Sequence, residues 1–349
     1  MPLGPVMLDV RGLELEPDER DMLQHPATGG VILFTRNYVD PGQLAALVAS
    51  IHEIRNPRLL VAVDHEGGRV QRFRQDFTRI PAMGEIGKAW THHRDTGRRL
   101  AHEAGVVLAL ELRALGVDFT FAPVLDLDHG RSRVIGDRSF HRDPYAVAEL
   151  ASALVAGLAE GGMGAVGKHF PGHGFAEADS HVDAPVDPRD LATITADDLV
   201  PFQHLVSNGL TGVMPAHVIY PAVDNRPAGY SRRWLKDILR GQLGFQGIVF
   251  SDDLSMVGAH SAGGIVDRAE AALEAGCDMV LVCNDSSSAR ELVNHLKARC
   301  SAPTLAAMAR LHGRARPAGF TALREHPQYV HALATLSHWQ SPSGDLPLA

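Results

Sequence analysis

Eight short apolar runs, most of them separated by stretches of helical periodicity, predict an α/β protein built as a single (β/α)8 TIM-like barrel. Two further observations narrow the choice. The runs are continuous rather than alternating, as expected for strands buried on both faces of a parallel sheet. Several also end in charged or polar residues, which a barrel gathers at one mouth. The rival is a doubly wound open sheet, but no G-x-G-x-x-G follows any early strand.

The elements follow in chain order. Val6–Val10 (VMLDV) is the first predicted strand and Gly30–Phe34 (GVILF) the second. No clear helical pattern lies between them, so an irregular corner is expected there. Gln43–Arg55 places Leu44, Leu47, Val48, Ile51 and Ile54 at helical spacing. Leu59–Val63 is the third strand and ends in Asp64-His65-Glu66-Gly67-Gly68. Arg98–Leu115 is apolar on most sides and predicts a buried helix. Phe119–Leu125 is the fourth strand, Tyr145–Ala159 an alanine-rich helix, and Gly164–His169 the fifth strand.

Ala196–Val206 is read as a helix with Thr195 placed to cap it. Thr211–Val218 is the sixth strand and carries His217. Ser231 caps a helix that has Trp234, Leu235, Ile238 and Leu239 on one face. Gly247–Phe250 is the seventh strand and runs into Ser251-Asp252-Asp253. Val266–Ala275 is helical, Met279–Cys283 is the eighth strand, and Ser288–Cys300 is helical again. The expected division is a barrel domain over 1–300, a helical extension packed on it over 301–340, and a loose tail over 341–349.

Composition bounds the function. The chain has 349 residues, 45% hydrophobic and 21% charged, enough for a large core. Its net charge is 33 − 41 = −8, which argues against nucleic acid as a partner. Three widely spaced cysteines, Cys277, Cys283 and Cys300, suit reduced thiols in the cytoplasm better than a disulfide frame. No pair of them has metal-ligand spacing. The N-terminus has no signal-peptide pattern, and no apolar run has the length of a membrane span.

The polar strand ends carry the chemistry. Asp64, Asp126, Lys168-His169, His217 and Asp252 follow or close five successive runs, and a barrel brings such ends together. Asp252 is either a nucleophile, able to attack a carbon centre and leave as an ester, or the cap of the next helix. Asp253 should face away from it, because successive strand residues alternate.

Asp179 and His181 lie two apart, so in extended chain both side chains face one way. They form either an acid/base pair, with the carboxylate favouring a charged imidazole, or a polar turn. Gly172 and Gly174 around His173 make either a flexible loop or a plain glycine-rich turn. Arg72, Arg131, Arg133 and Arg138 can bind oxygen groups of a substrate or simply cover the surface.

These residues resemble a known family. Lys168–Gly174 (KHFPGHG), Asp179–His181 (DSH) and Phe250–Met256 (FSDDLSM) are similar to motifs of family 3 glycoside hydrolases. So are Asp64–Phe73 (DHEGGRVQRF), Phe121–Asp126 (FAPVLD) and Met214–Tyr220 (MPAHVIY). Within the family they look like the bacterial β-N-acetylglucosaminidases of the NagZ kind, and the likeness runs over roughly residues 5–285 in the expected order. His65 departs from the pattern, which leads one to expect glutamine there.

The resemblance implies a single barrel that removes terminal β-linked N-acetylglucosamine with retention of configuration. It implies Asp252 as nucleophile and His181 as acid/base on a mobile loop with Asp179 as its partner. Asp64, Arg72, Arg138, Lys168 and His169 match sugar-binding positions. The implied substrate is a cytosolic cell-wall fragment, N-acetylglucosamine linked to 1,6-anhydro-N-acetylmuramic acid, handled in peptidoglycan recycling. No cofactor or metal is implied, the only partner is the sugar, and the chain is expected to act as a cytoplasmic monomer without membrane or nucleic acid.

Three alternatives stay open on the residues alone. A metal-dependent barrel hydrolase would use His169, His173, His181 or His217 with Asp252 as ligands, but no H-x-H follows the first strand. A sugar-binding protein would hold the ligand without turnover. A phosphorylase would replace water by phosphate in the second step, which a histidine acid/base does not repel.

Overall fold

The structure is a computed structural model and describes residues 2–177, 185–314 and 317–339. Among the described residues, eight parallel strands close into a barrel: β1 (Val6–Asp9), β2 (Thr28–Leu33), β3 (Leu60–Val63), β4 (Phe119–Thr120), β5 (Gly164–Phe170), β6 (Gly212–Pro215), β7 (Ile248–Asp253) and β8 (Met279–Val282). Each pairs with its neighbours in sequence, and β8 pairs with β1 to complete the ring, with Met7 opposite Leu281. Helices separate the strands and cover the outside, so the continuous apolar runs are buried on both faces, as their sequence requires.

Aromatic rings fill the barrel. Phe250 on β7 meets Phe119 on β4 at 5.6 Å and Phe121 at 5.2 Å between centroids. Strands β4 and β7 are not neighbours, so these contacts cross the interior. Aromatic pairs of this kind contribute about 0.5–1.5 kcal/mol beyond the area they bury.

The opposite end is closed by charge. Asp118, just before β4, is fully buried and accepts from Arg58 Nη2 at 2.9 Å, Val61 N at 3.0 Å and Gly313 N at 3.1 Å. The last of these ties the chain beyond the barrel to its floor. Helix α11 (Pro327–Trp339) packs on α4 (Arg94–Ala114), and the Tyr329 hydroxyl donates to the buried Glu111 carboxylate at 2.7 Å. The expected tail over 341–349 lies outside the described residues.

Several expectations need correction. The first corner is not bare: α1 (Pro17–Gln24) joins β1 to β2, started by Pro17 and by Glu19 bonding back to the Glu16 N–H. Its polar first turn, PDER, hid it. Irregularity there is confined to a register shift between Val6 and Met7. The fourth strand is two residues long, since the Ala122 N–H turns back to Thr120 O at 2.9 Å. The chain beyond it still runs along β5: Ala122 O accepts from Val166 N at 2.9 Å, Pro123 O from Lys168 N at 3.1 Å and Lys168 O from Leu125 N at 2.6 Å.

Thr195 caps nothing. It lies inside α6 (Leu191–Ala196), whose cap is Asp190, and the predicted helix starts later as α7 (Leu199–Ser207). Ser231 does cap, accepting from Trp234 N at 3.2 Å.

Candidate active site

The C-terminal ends of the strands surround a cavity of about 660 Å3. That size suits a small organic ligand, for which roughly 300–1,000 Å3 is usual. Asp64, Arg72, Arg138, Lys168, His169 and Asp252 all line it. Of the strand ends that the sequence nominated, Asp64, Lys168, His169 and Asp252 thus meet at the cavity, whereas Asp126 and His217 are buried and do not line it.

One wall is an ion network built on β5 and the hairpin after β3. Lys168 Nζ donates to Asp64 Oδ1 at 2.7 Å and lies 2.6 Å from Glu66 Oε1. Arg138 grips Glu66 with two parallel bonds of 2.8 Å each. Arg72 approaches Asp64 at 3.6 Å. Burial would raise the Glu66 carboxyl, but Arg138 and Lys168 outweigh it and hold it well below the usual range. Burial likewise lowers Lys168, and the Asp64 and Glu66 charges more than offset that. The result is a charged, bonded wall whose side chains are held in place rather than free to search.

The floor is organised by Asp126. Its carboxylate accepts from His169 Nδ1 at 2.7 Å, from His173 N at 2.6 Å and from the His169 backbone N–H at 3.3 Å. With Nδ1 donating to a carboxylate, His169 turns its other nitrogen, Nε2, toward other partners. Sequence reading placed Asp126 at a strand end without giving it this task, and it missed Glu66. The signal for Glu66 was its spacing: it stands two residues from Asp64, so the two can share one side of the extended segment.

Asp252, the penultimate residue of β7, lines the cavity. Its Oδ1 accepts from Asp253 N at 2.8 Å, while Oδ2 has no hydrogen bond from any described residue. Burial alone would raise its carboxyl. The fields of His217 and His169, the Asp253 N–H and the Lys168 charge together outweigh it, so the group lies below its ordinary value and is ionised. Asp253 lines the same cavity rather than facing away from it, but its carboxylate is spent on neighbouring groups. It bonds Ser255 N at 2.9 Å, Ser255 Oγ at 2.7 Å and Cys283 N at 3.1 Å, tying β7 to β8. Burial pushes its carboxyl up to about 6. Asp252 therefore does not spend its side chain on capping a helix.

The glycines around His173 serve close packing. A Cβ on Gly174 would lie 1.8 Å from Leu127 O, and one on Gly172 would lie 2.7 Å from the Asp198 side chain. The whole run from Phe170 to Gly174 is buried, contrary to a loose loop at these residues. Arg133 lines the cavity. Arg131 instead stacks over Phe175 at 4.5 Å and pairs with Glu177. His65 turns away into a cluster with Phe73 and Phe77, at 5.6 and 5.4 Å between ring centroids. The predicted acid/base pair, Asp179 and His181, lies outside the described residues. No group of three or more metal-ligating side chains occurs among the described residues.

Residues 6–315 match the Glycosyl hydrolase family 3 N terminal domain. The chain belongs to glycoside hydrolase family 3. Among its family 3 relatives, a beta-hexosaminidase of Nitrosospira multiformis is 57% identical over 348 residues, all of both chains. One of Methylobacillus flagellatus is 56% identical over 349 residues, again all of both. NagZ from Neisseria gonorrhoeae, solved in complex with N-trifluoroacetyl-D-glucosamine, superposes with a TM-score of 0.92 at 46% identity, over 98% of this chain and 99% of that one. The protein is thus a family 3 glycoside hydrolase of the branch whose members carry the name beta-hexosaminidase.

Proposed function

We propose that the protein is a retaining exo-β-N-acetylglucosaminidase that acts on cytosolic peptidoglycan fragments. The observation that carries this is Asp252: an ionised carboxylate with one oxygen unbonded among the described residues, lining a cavity walled by bonded ion pairs. The ligand of the gonococcal neighbour, an N-acylated glucosamine, supports an N-acetyl sugar as the group held there.

The reaction runs in two displacements. Asp64, Arg72, Arg138, Lys168 and His169 bind the hydroxyl groups of the sugar. Asp252 attacks the anomeric carbon as His181 gives its proton to the departing oxygen, leaving a glycosyl ester on Asp252. His181, now neutral and polarised by Asp179, takes a proton from water as that water attacks the same carbon. The ester breaks, Asp252 is restored, and the sugar leaves with its β configuration kept.

The pre-formed wall holds the sugar without reorganising, and the Asp252 carboxylate stabilises the oxocarbenium-like transition state. Its substrate in the cell is N-acetylglucosamine linked to 1,6-anhydro-N-acetylmuramic acid, with or without peptide, and its role is cell-wall recycling. The proposed setting is a cytoplasmic monomer. No helix among the described residues is long and apolar enough to cross a membrane.

The test is turnover of a chromogenic β-N-acetylglucosaminide by wild type, Asp252→Asn and His181→Ala, with chelator present and with or without phosphate. Wild type should be active under all these conditions. Asp252→Asn should lose several orders of magnitude, and His181→Ala should recover partly on substrates with good leaving groups. Activity that needs added zinc, or a product that is a sugar phosphate, would overturn the reading.

A further inference from the structure

The floor of the cavity holds one imidazole that this mechanism leaves unused. His173 follows β5, is only 3% exposed, and lines the cavity. Its backbone N–H donates to Asp126 Oδ1 at 2.6 Å, so the carboxylate that orients His169 also fixes the chain at His173. The two imidazoles stand nearly edge to face, 6.0 Å apart between centroids. Neither Nδ1 nor Nε2 of His173 has a hydrogen-bond partner among the described residues.

Buried polar atoms are normally satisfied, and leaving one unmade costs stability. Trp234 and His326 also carry a buried unpaired nitrogen, yet neither lines the cavity; Arg72 lines it and has one, its Nε. His173 lines it with two. Burial and the field of His169 hold the imidazole below its ordinary value, so the ring is neutral and offers one donor and one acceptor. That pair suits a hydroxyl or an amide. His173 and Asp252 line the same cavity.

We infer that His173 is a further sugar-contacting residue, whose ring nitrogens hydrogen-bond polar groups of the sugar held beside Asp252. The inference rests on the glycosidase reading above. It assigns the missing hydrogen bonds of the ring to the bound sugar, so the free protein is less stable than it need be while the bound one is satisfied.

The test uses His173→Phe, which keeps a ring of similar shape and removes both nitrogens, and His173→Gln, which restores a donor and an acceptor. Three quantities are read: the melting temperature, KM and kcat on a chromogenic β-N-acetylglucosaminide, and the inhibition constant of free N-acetylglucosamine. We expect His173→Phe to melt no lower than wild type while its KM and inhibition constant rise about tenfold, the size of one lost hydrogen bond. His173→Gln should recover part of the loss.

Unchanged affinity in His173→Phe overturns the inference. So does a lower melting temperature with affinity that Gln fails to restore, since that is the mark of a structural residue. Failure of the glycosidase reading looks different: wild type itself would neither turn over the glycoside nor bind N-acetylglucosamine, and both would fall together.

Discussion

Lys168 Nζ lies 2.6 Å from Glu66 Oε1, both side chains being 3% exposed, and this pair joins the strand-end lysine to Arg138 across the cavity wall. Glu66 touches two cations at once, so its removal leaves two buried positive groups short of counter-charge. Glu66→Gln should cost about 3–5 kcal/mol of stability, as broken buried ion pairs do. It should also lower kcat/KM at least tenfold, because Lys168 and Arg138 lose their fixed positions. Chemical denaturation and steady-state kinetics check the two effects; unchanged stability would show that the network is not coupled.

The Asp126–His169 bond makes a sharper prediction. Asn at position 126 still accepts from the two backbone N–H groups, but its amide presents a donor to His169 Nδ1. The ring then takes the other tautomer and offers the sugar a donor where it offered an acceptor. Asp126→Asn should keep its circular dichroism spectrum and melting behaviour and lose about 10–100-fold in kcat/KM, as partners that orient a working histidine commonly do. Loss of fold instead of activity would make Asp126 a structural residue alone.

His65 gives the first pH prediction. Burial, with smaller contributions from Arg72 and Arg74, pushes its imidazole down to about 3. The unfolded chain takes up this proton near the ordinary histidine value of 6.5, so the contribution to stability is fully present above that and is lost as pH falls toward 3. The melting temperature of His65→Gln should therefore fall less steeply than that of wild type between about pH 7 and pH 4.5. Parallel curves would mean that the buried ring does not titrate apart from the unfolded state.

Glu111 has the opposite sign. Burial outweighs its bonds from Thr78 and Tyr329 and raises its carboxyl to about 7. This contribution is fully present below the ordinary glutamate value of 4.5 and is lost as pH rises through 7. Glu111→Gln, which cannot ionise, should keep the docking of α11 at alkaline pH. A melting temperature that falls less in the variant than in wild type between about pH 4.5 and pH 7.5 checks it; equal declines would contradict it.

The sequence made the barrel legible because parallel strands buried on both sides leave unbroken apolar runs, and six site residues lay at or just beyond their ends. Asp252, Lys168 and His169 could be nominated that way. Asp126 could be placed at a strand end but not given its task, and Glu66 was missed, since their roles depend on which cations and imidazoles the closed barrel brings within 3 Å of them. Helix α1 was hidden by its charged first turn. The KHFPGHG run misled in a specific way: Gly172 and Gly174 read as freedom, but they are sites where Asp198 and Leu127 come too close for a side chain.

The central claim is a covalent glycosyl ester on Asp252. The most direct measurement is peptide mass mapping after incubation with a slow, fluorinated N-acetylglucosaminyl donor. The account predicts one added N-acetylglucosaminyl group on the peptide that carries Asp252, and none in Asp252→Asn. Modification of another carboxylate, or turnover that gives the α-anomer of the free sugar with no adduct, would contradict it.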